Sequence, residues 1–247
     1  MEPAPSLEEI SRDGLRLLTD PAFAKDGLLV VFTDRNGGVS PAPYDTLNLA
    51  ARVGDDRAFV DENRGRVADA ARFEVSSIRL ARQVHGADLL EVGHDDDVVA
   101  GEADIIATSE EGVTIGILTA DCTPVVVAGD RRVAVAHAGW RGLVAGAVER
   151  AVGWVGEPRA AWVGPSIRSC CYEVGAEVIE AFRSRGLPVA AQDRVSPAEA
   201  AVFSLRRAGV TNVAASGDCT GCDARYFSYR RDGITGRQGA FVSLTAG

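Results

Sequence analysis

Residues 119–142 read TADCTPVVVAGDRRVAVAHAGWRG, two apolar runs on either side of Gly129-Asp130. Glycine in the first position suits a two-residue type II′ hairpin turn. That turn would set Cys122 directly opposite His137. Residues opposite each other in an antiparallel pair share a face, with Cβ atoms about 4.5–5.5 Å apart. This separation suits a thiolate and an imidazole on one metal ion, since Zn–S is about 2.3 Å and Zn–N about 2.0–2.1 Å. It equally suits a Cys–His nucleophile–base pair. A register slip of one residue would put the two side chains on opposite faces. Both arms, PVVVA and VAVA, are apolar on both faces, as strands covered on both sides should be. Pro124 lacks a donor and belongs at a strand start or edge.

Outward from this hairpin, LLVVF at 28–32 predicts a short buried strand leading into a Gly-rich loop, TDRNGGVS at 33–40. Residues 1–14 read as an irregular lead-in. A helix is expected over 55–73, with Val60, Val67, Ala70 and Ala71 near one face. Strands are expected at 78–84, 105–108 and 113–118, with 87–92 as hairpin partner of the first. After the central hairpin come a helix to about residue 152 and a strand at 160–163. Helices follow at 176–185 and 197–208, then strands at 212–215, 226–229 and 240–244. Strands outnumber helices and hairpins recur. The expected fold is therefore α+β, a single domain over 1–247 with mixed, largely antiparallel sheets flanked by helices.

The totals narrow the function. The chain has 247 residues and a formal net charge of −9. Without clustered Lys and Arg, a nucleic-acid or anionic-membrane surface is not expected. The N-terminal MEPAPSLEEI lacks the basic and apolar regions of a signal peptide. No apolar run approaches the ~20 residues of a bilayer span. Five cysteines, an odd count without an export signal, read as cytoplasmic thiols. A monomer is expected.

Only three histidines are present. His85 and His137 each follow an apolar strand and precede a Gly or an Ala-Gly. With Cys122 they would make a tetrahedral zinc site with one position open, the arrangement of catalytic zinc. The competing reading is a satisfied core histidine and an inert buried cysteine. His94, in an acidic loop, is assigned no function. Asp121 and Glu173 are carboxylate candidates for proton transfer or for support of the ligands. Arg35, in the Gly-rich loop after a strand, is expected to bind phosphate, with Arg141, just before a helix, as its competitor; either could bind phosphate or carboxylate. Cys219-x-x-Cys222 with Cys170-Cys171 could form a second, Cys-rich metal site. A single CxxC is a weak signal and adjacent cysteines seldom chelate one ion together, so packing is the default for these four.

The motifs FTDRNGGVS…LNLA, QVHGAD, GEADIIAT, TADCTPVV, AHAGWRG, GPSIRSCCYEVG and SYRRDGITGRQ resemble, in order, those of the YfiH/YlmD family. Its members have been labelled multicopper polyphenol oxidases or laccase-domain proteins and include peptidoglycan-editing factors. The resemblance spans about residues 28–244. It implies a YfiH-like fold rather than a cupredoxin. It also implies a zinc-binding, catalytic set of His85, Cys122 and His137, and a substrate-binding set of Arg35, Asn48 and Arg141. The implied activity is purine nucleoside phosphorylase on adenosine, inosine and methylthioadenosine, with adenosine deamination as a companion. The H-x-E signature of zinc deaminases is missing, so the proton-shuttling acid is unassigned. Asp34 replaces a Thr of the family loop, and Arg168 stands where Gly is usual.

The laccase label fits the composition poorly. Blue-copper centres use two His, a Cys and usually an axial Met, and the one Met here is Met1. Three histidines do not ligate four coppers, so polyphenol oxidation ranks last, although copper could occupy the same three ligands. Two other classes stand beside the phosphorylase. One is a Cys–His hydrolase or amidase in peptidoglycan precursor editing; the other is a noncatalytic zinc-binding module.

Overall fold

The computed structural model describes residues 3–245. Its strands, in chain order, are β1 (Glu8–Arg12), β2 (Leu15–Thr19), β3 (Leu28–Thr33), β4 (Ile78–Arg82), β5 (Leu89–Glu91), β6 (Val99–Glu102) and β7 (Ile105–Thr108). The second half adds β8 (Thr114–Thr119), β9 (Thr123–Ala128), β10 (Val133–Ala138), β11 (Ala160–Val163), β12 (Val213–Ala215) and β13 (Gln238–Leu244). The helices are α1 (Pro21–Lys25), α2 (Arg57–Ala71), α3 (Trp140–Ala145), α4 (Ala147–Val155), α5 (Ala176–Ser184), α6 (Pro197–Arg207) and α7 (Tyr229–Asp232).

Two mixed sheets result, a seven-stranded β1-β2-β3-β13-β8-β4-β6 and a six-stranded β12-β11-β9-β10-β7-β5. Most neighbours are antiparallel, and the parallel pairs lie towards the sheet ends. The sheets face each other across a core of Val30, Phe32, Ile115, Ile117, Val126, Val133, Val135, Trp162 and Val242. The outer face of the six-stranded sheet, with Val125, Val127, Ala134 and Ala136, is covered by α3, α4, α5 and α6. On the outer face of the seven-stranded sheet, Val31, Ile78, Leu80 and Phe241 pack against Val67, Ala70 and Ala71 of α2. The order is thus helix, sheet, sheet, helices. This is the α+β fold with largely antiparallel sheets expected above, and it explains why β9 and β10 are apolar on both faces.

Several local expectations are corrected. The central turn spans residues 129–132 rather than two residues, closed by Gly129 N–H donating to the Arg132 carbonyl at 2.9 Å. Pairing starts at Ala128 with Val133, so His137 stands opposite Pro124 rather than Cys122. The lead-in contains a real hairpin, β1–β2, whose Leu15 and Leu17 are buried. Alternation over only five residues beside charged ends hid it. Residues 87–92 do not pair with β4; β5 runs parallel to β7 in the other sheet. The helix after His137 breaks at Gly146, which takes φ +85° and caps α3 before α4 begins. Residues 226–229 form no strand. They turn into α7, where the Ser228 hydroxyl accepts from the Arg231 N–H.

Trp162 ties the intersheet core to the N-terminal segment. Fully buried, it meets Phe23 edge-to-face at 4.9 Å, and its indole N–H donates to Asp20 Oδ2 at 3.0 Å. Trp162→Phe keeps most of the apolar contact and deletes the donor to a buried carboxylate. The expected loss is about 1–3 kcal/mol, read as a lower urea midpoint with an unchanged denaturant slope.

Candidate active site

The site lies at the rim of the intersheet core, where the two sheets end together. His137 is the fifth residue of β10, on the same side as Val133 and Val135. Cys122 immediately precedes β9. The register differs from the expected one by two residues, and a shift of two preserves the face, so Cys122 and His137 still share a side. His85 comes from the other sheet, in the loop after β4, at a left-handed φ of 61°. Non-glycine residues rarely hold such an angle without surrounding support.

The ligand atoms of His85, Cys122 and His137 all lie within 4.8 Å of one another. Ligand atoms around a tetrahedral zinc stand about 3.3–3.8 Å apart, so small side-chain movements close the set on one ion. The two imidazoles meet at a centroid distance of 4.9 Å and 71°. Gly139 makes room for them. A Cβ there would lie 3.1 Å from the Cys122 Sγ and 3.5 Å from the His85 ring.

Asp104 organises this triad, and the sequence reading did not single it out. Its carboxylate is fully buried. It accepts from the backbone N–H groups of Val84 (3.1 Å), His85 (3.0 Å) and Gly86 (2.6 Å), and sits 2.7 Å from His137 Nδ1. A carboxylate only accepts, so Nδ1 carries the proton and Nε2 is left for the cluster. A carboxylate behind a ligating histidine is the usual support of a metal site. Burial would push Asp104 up, but the His137 and backbone donors outweigh it and hold the carboxylate below its ordinary range. The sequence signal was an Asp directly before the buried strand β7, in GEADIIAT.

Charge in the pair is shifted in the matching sense. Desolvation would raise the Cys122 thiol, but His137 and His85 overcome it and bring it down to about 6. Desolvation would lower His137, but Cys122 and Asp104 raise it to about 9. The metal-free pair is therefore a thiolate facing an imidazolium. Metal binding would replace the imidazolium proton and release it to solvent.

The remaining candidates are placed as follows. Asp121, at φ 90°, accepts from the Thr220 hydroxyl and the Arg230 N–H, both at 2.7 Å, and so fastens the C-terminal segment. Glu173 is exposed, pairs with Arg194 at 3.5 Å, and its carbonyl accepts from the Arg230 guanidinium. His94 is exposed and outside the cluster. Arg35 donates to the Asp45 carbonyl, pairs with Asp45 (3.1 Å) and Asp232 (3.5 Å), and stacks on Phe227. Asn48 is fully buried, and its amide bonds Ala50, Asp55 and Arg237. Arg141 is exposed and stacks on Trp140 at 4.3 Å.

Two further residues, Tyr172 and Arg237, feel the charge of Cys122. Tyr172, beneath the Arg230 guanidinium at 4.8 Å, is pushed up to about 12, first by burial and then by the Cys122 thiolate, against Arg230 and Arg141. Arg237 is lowered by burial and raised by Cys122 and Asp121. Arg230 and Arg141 thus act on Tyr172, and Arg237 feels the Cys122 charge. A separate concavity of about 430 Å³, lined by Ile10, Leu17, Leu29 and Val31, contains none of these groups.

Fold and site define an α+β protein with an open Cys–His₂ set able to hold a metal. The chain belongs to the YfiH/YlmD family: residues 29–245 match the family described as multi-copper polyphenol oxidoreductase laccase. It is 38% identical over 244 residues to a Deinococcus radiodurans protein named purine nucleoside phosphorylase, covering 94% of each chain. It is 41% identical over 206 residues to a Pseudomonas aeruginosa protein of the same name, covering 76% of this chain and 81% of that one. Among solved structures, YlmD from Geobacillus stearothermophilus superposes with a TM-score of 0.88 at 31% identity, covering 98% of this chain and all of that one.

Asp104→Asn keeps the volume but presents an amide where four donors converge. The expected result is a 10–100-fold loss of metal affinity with the secondary structure intact, measured by chelator competition and circular dichroism.

Proposed function

We propose that the chain is a zinc-dependent purine nucleoside phosphorylase acting on adenosine, inosine and methylthioadenosine, with adenosine deamination at the same site. The observation that carries this reading is the Cys–His₂ set, whose ligand atoms lie within 4.8 Å of one another with room for a further ligand on a tetrahedral ion, and the names of the relatives support it. Zinc held by His85, Cys122 and His137 would supply a Lewis-acidic centre with a position left for substrate or water.

In phosphorolysis a phosphate oxygen bonds to the anomeric carbon while the glycosidic C–N bond breaks and its electron pair leaves with the purine. The chain must hold an anion beside the nucleoside and donate to the departing base. Arg141 is the leading phosphate ligand, because its guanidinium is exposed, faces no carboxylate partner in an ion pair among the described residues, and lies four residues from His137. Arg35 is engaged by two carboxylates and Asn48 by Ala50, Asp55 and the distant Arg237, so both shape the wall around the nucleoside. Tyr172 keeps its proton at neutral pH and is available as a donor to the purine. His137, oriented by Asp104 at Nδ1, would present Nε2 to the metal.

A second reading rests on one specific observation. Asp104, His137 and Cys122 are also arranged as a carboxylate–imidazole–thiolate relay, which a Cys hydrolase would use. Chelation separates the two. A phosphorylase of the proposed kind loses turnover to a chelator and regains it with zinc, whereas a Cys hydrolase keeps turnover throughout.

Cys122→Ala should remove phosphate-dependent release of hypoxanthine from inosine. Arg141→Ala should raise the apparent KM for phosphate roughly 10- to 100-fold, the loss of one charge-assisted contact of ~1.5–3 kcal/mol. Deamination needs water rather than phosphate and should survive Arg141→Ala better. If the wild-type, zinc-loaded chain releases no base at any phosphate concentration, the assignment is wrong.

A further inference from the structure

A second group of sulfurs stands apart from His85, Cys122 and His137. Cys170 and Cys171 come from the segment after β11, and Cys219 and Cys222 from the segment after β12. Their four sulfurs lie within 4.8 Å of one another. Cys222 Sγ is 3.4 Å from Cys170 Sγ and 3.1 Å from Cys171 Sγ. Packing of inert thiols accounts poorly for this. Cys170 and Cys222 are exposed and Cys171 is only partly covered, so burial is not what brings them together. We propose that Cys170, Cys171, Cys219 and Cys222 form a tetrathiolate site for zinc that clamps the two segments walling the active site.

The local backbone is built for such a site. The Cys222 and Asp223 N–H groups both donate to the Cys219 carbonyl, at 3.1 and 2.9 Å. This turn brings the two CxxC sulfurs to one side. The Arg168 N–H points at Cys219 Sγ from 3.4 Å, and an amide donor of this kind stabilises a thiolate. Gly221 leaves space for the approach of the other pair. A Cβ there would lie 2.8 Å from Cys171 Cβ and 3.1 Å from its Sγ. The Arg194 guanidinium bonds the Cys170 and Ser169 carbonyls, which places a positive charge beside a site of net charge −2. Four thiolates in tetrahedral reach are the donor set of closed, structural zinc. Binding forms four Zn–S bonds and releases four thiol protons to solvent.

The clamp bears on the reaction site by position. Tyr172 follows the Cys170-Cys171 pair directly. Arg230, eight residues past Cys222, bonds the Glu173 carbonyl at 2.8 Å and stacks on Tyr172. Holding the two cysteine segments together therefore holds Tyr172 and Arg230 beside Cys122.

The test reads metal binding and so fails independently of the phosphorylase reading. Cys122→Ala, purified without chelator, should retain one zinc per chain against two in the wild type. Cobalt substitution of that variant should give the intense thiolate-to-cobalt absorption of a tetrahedral tetrathiolate. The double variant Cys170→Ser with Cys222→Ser should lose one zinc and keep the other. In the wild-type protein, peptide mapping after alkylation should show all four cysteines protected until a chelator is added, a readout that needs no variant to fold. Zinc-free Cys122→Ala, alkylation indifferent to chelator, or a Cys171–Cys222 disulfide in freshly purified protein would each overturn the proposal.

Discussion

A buried carboxylate with four donors governs this molecule. Asp104 has no solvent, and an isolated charge in that position would cost several kcal/mol. Three consecutive backbone N–H groups and one imidazole offset that cost. The donors come from both sheets, the loop 84–86 after β4 and His137 on β10. The carboxylate is therefore also a fastener. It holds His85 at its left-handed backbone angle and fixes the face that His137 presents. A second tie runs alongside, the His137 N–H donating to the Asp104 carbonyl at 2.7 Å. His85 could not keep its place if the sheets moved apart at this rim, whereas His137 and Asp104 are held to each other within the six-stranded sheet.

The layered core supplies the stiffness that such a site needs. β9 and β10 are buried on both faces, one against the opposing sheet and one against α3 and α4. Strands so enclosed have little freedom to slide, since a one-residue shift would send valines of both faces to the wrong layer. Cys122 and His137 inherit that fixity because they sit at the ends of these strands. Tyr172 and the arginines that act on it, Arg230 and Arg141, lie instead on loops and short helices, where substrate contacts can vary without disturbing the sheet.

Legibility in the sequence followed the range of the signal. β8 and β9 are dense β-branched runs, and β10 and β13 are short apolar runs, so composition and length place them. The triad was visible because histidine is scarce and because face parity survives an even register error: His137 pairs with Pro124, yet Cys122 remains on its side. Asp104 was not visible, since a lone Asp before a strand looks the same whether it is solvated or wholly buried. The commitments of Arg35 and Asn48 were hidden for a related reason. Their partners Asp232 and Arg237 lie almost two hundred residues away, a separation that no local pattern reports. The β5–β7 pairing was missed because parallel partners need no turn to announce them.

The N-terminal hairpin contributes no group to either cluster, yet it bears on how copies of the molecule meet. The seven-stranded sheet has β1 and β6 as its two edges, and the six-stranded sheet has β12 and β5. An open strand edge is a template for another chain's backbone. β1 presents exposed Glu8 and Glu9 with Arg12, and β6 ends in a Glu102 paired with Arg82. β5 and β12 are three residues each, too short to seat a neighbour. Capping β2, whose Leu15 and Leu17 are buried, with so charged a strand gives this end of the seven-stranded sheet a border that resists pairing with another chain.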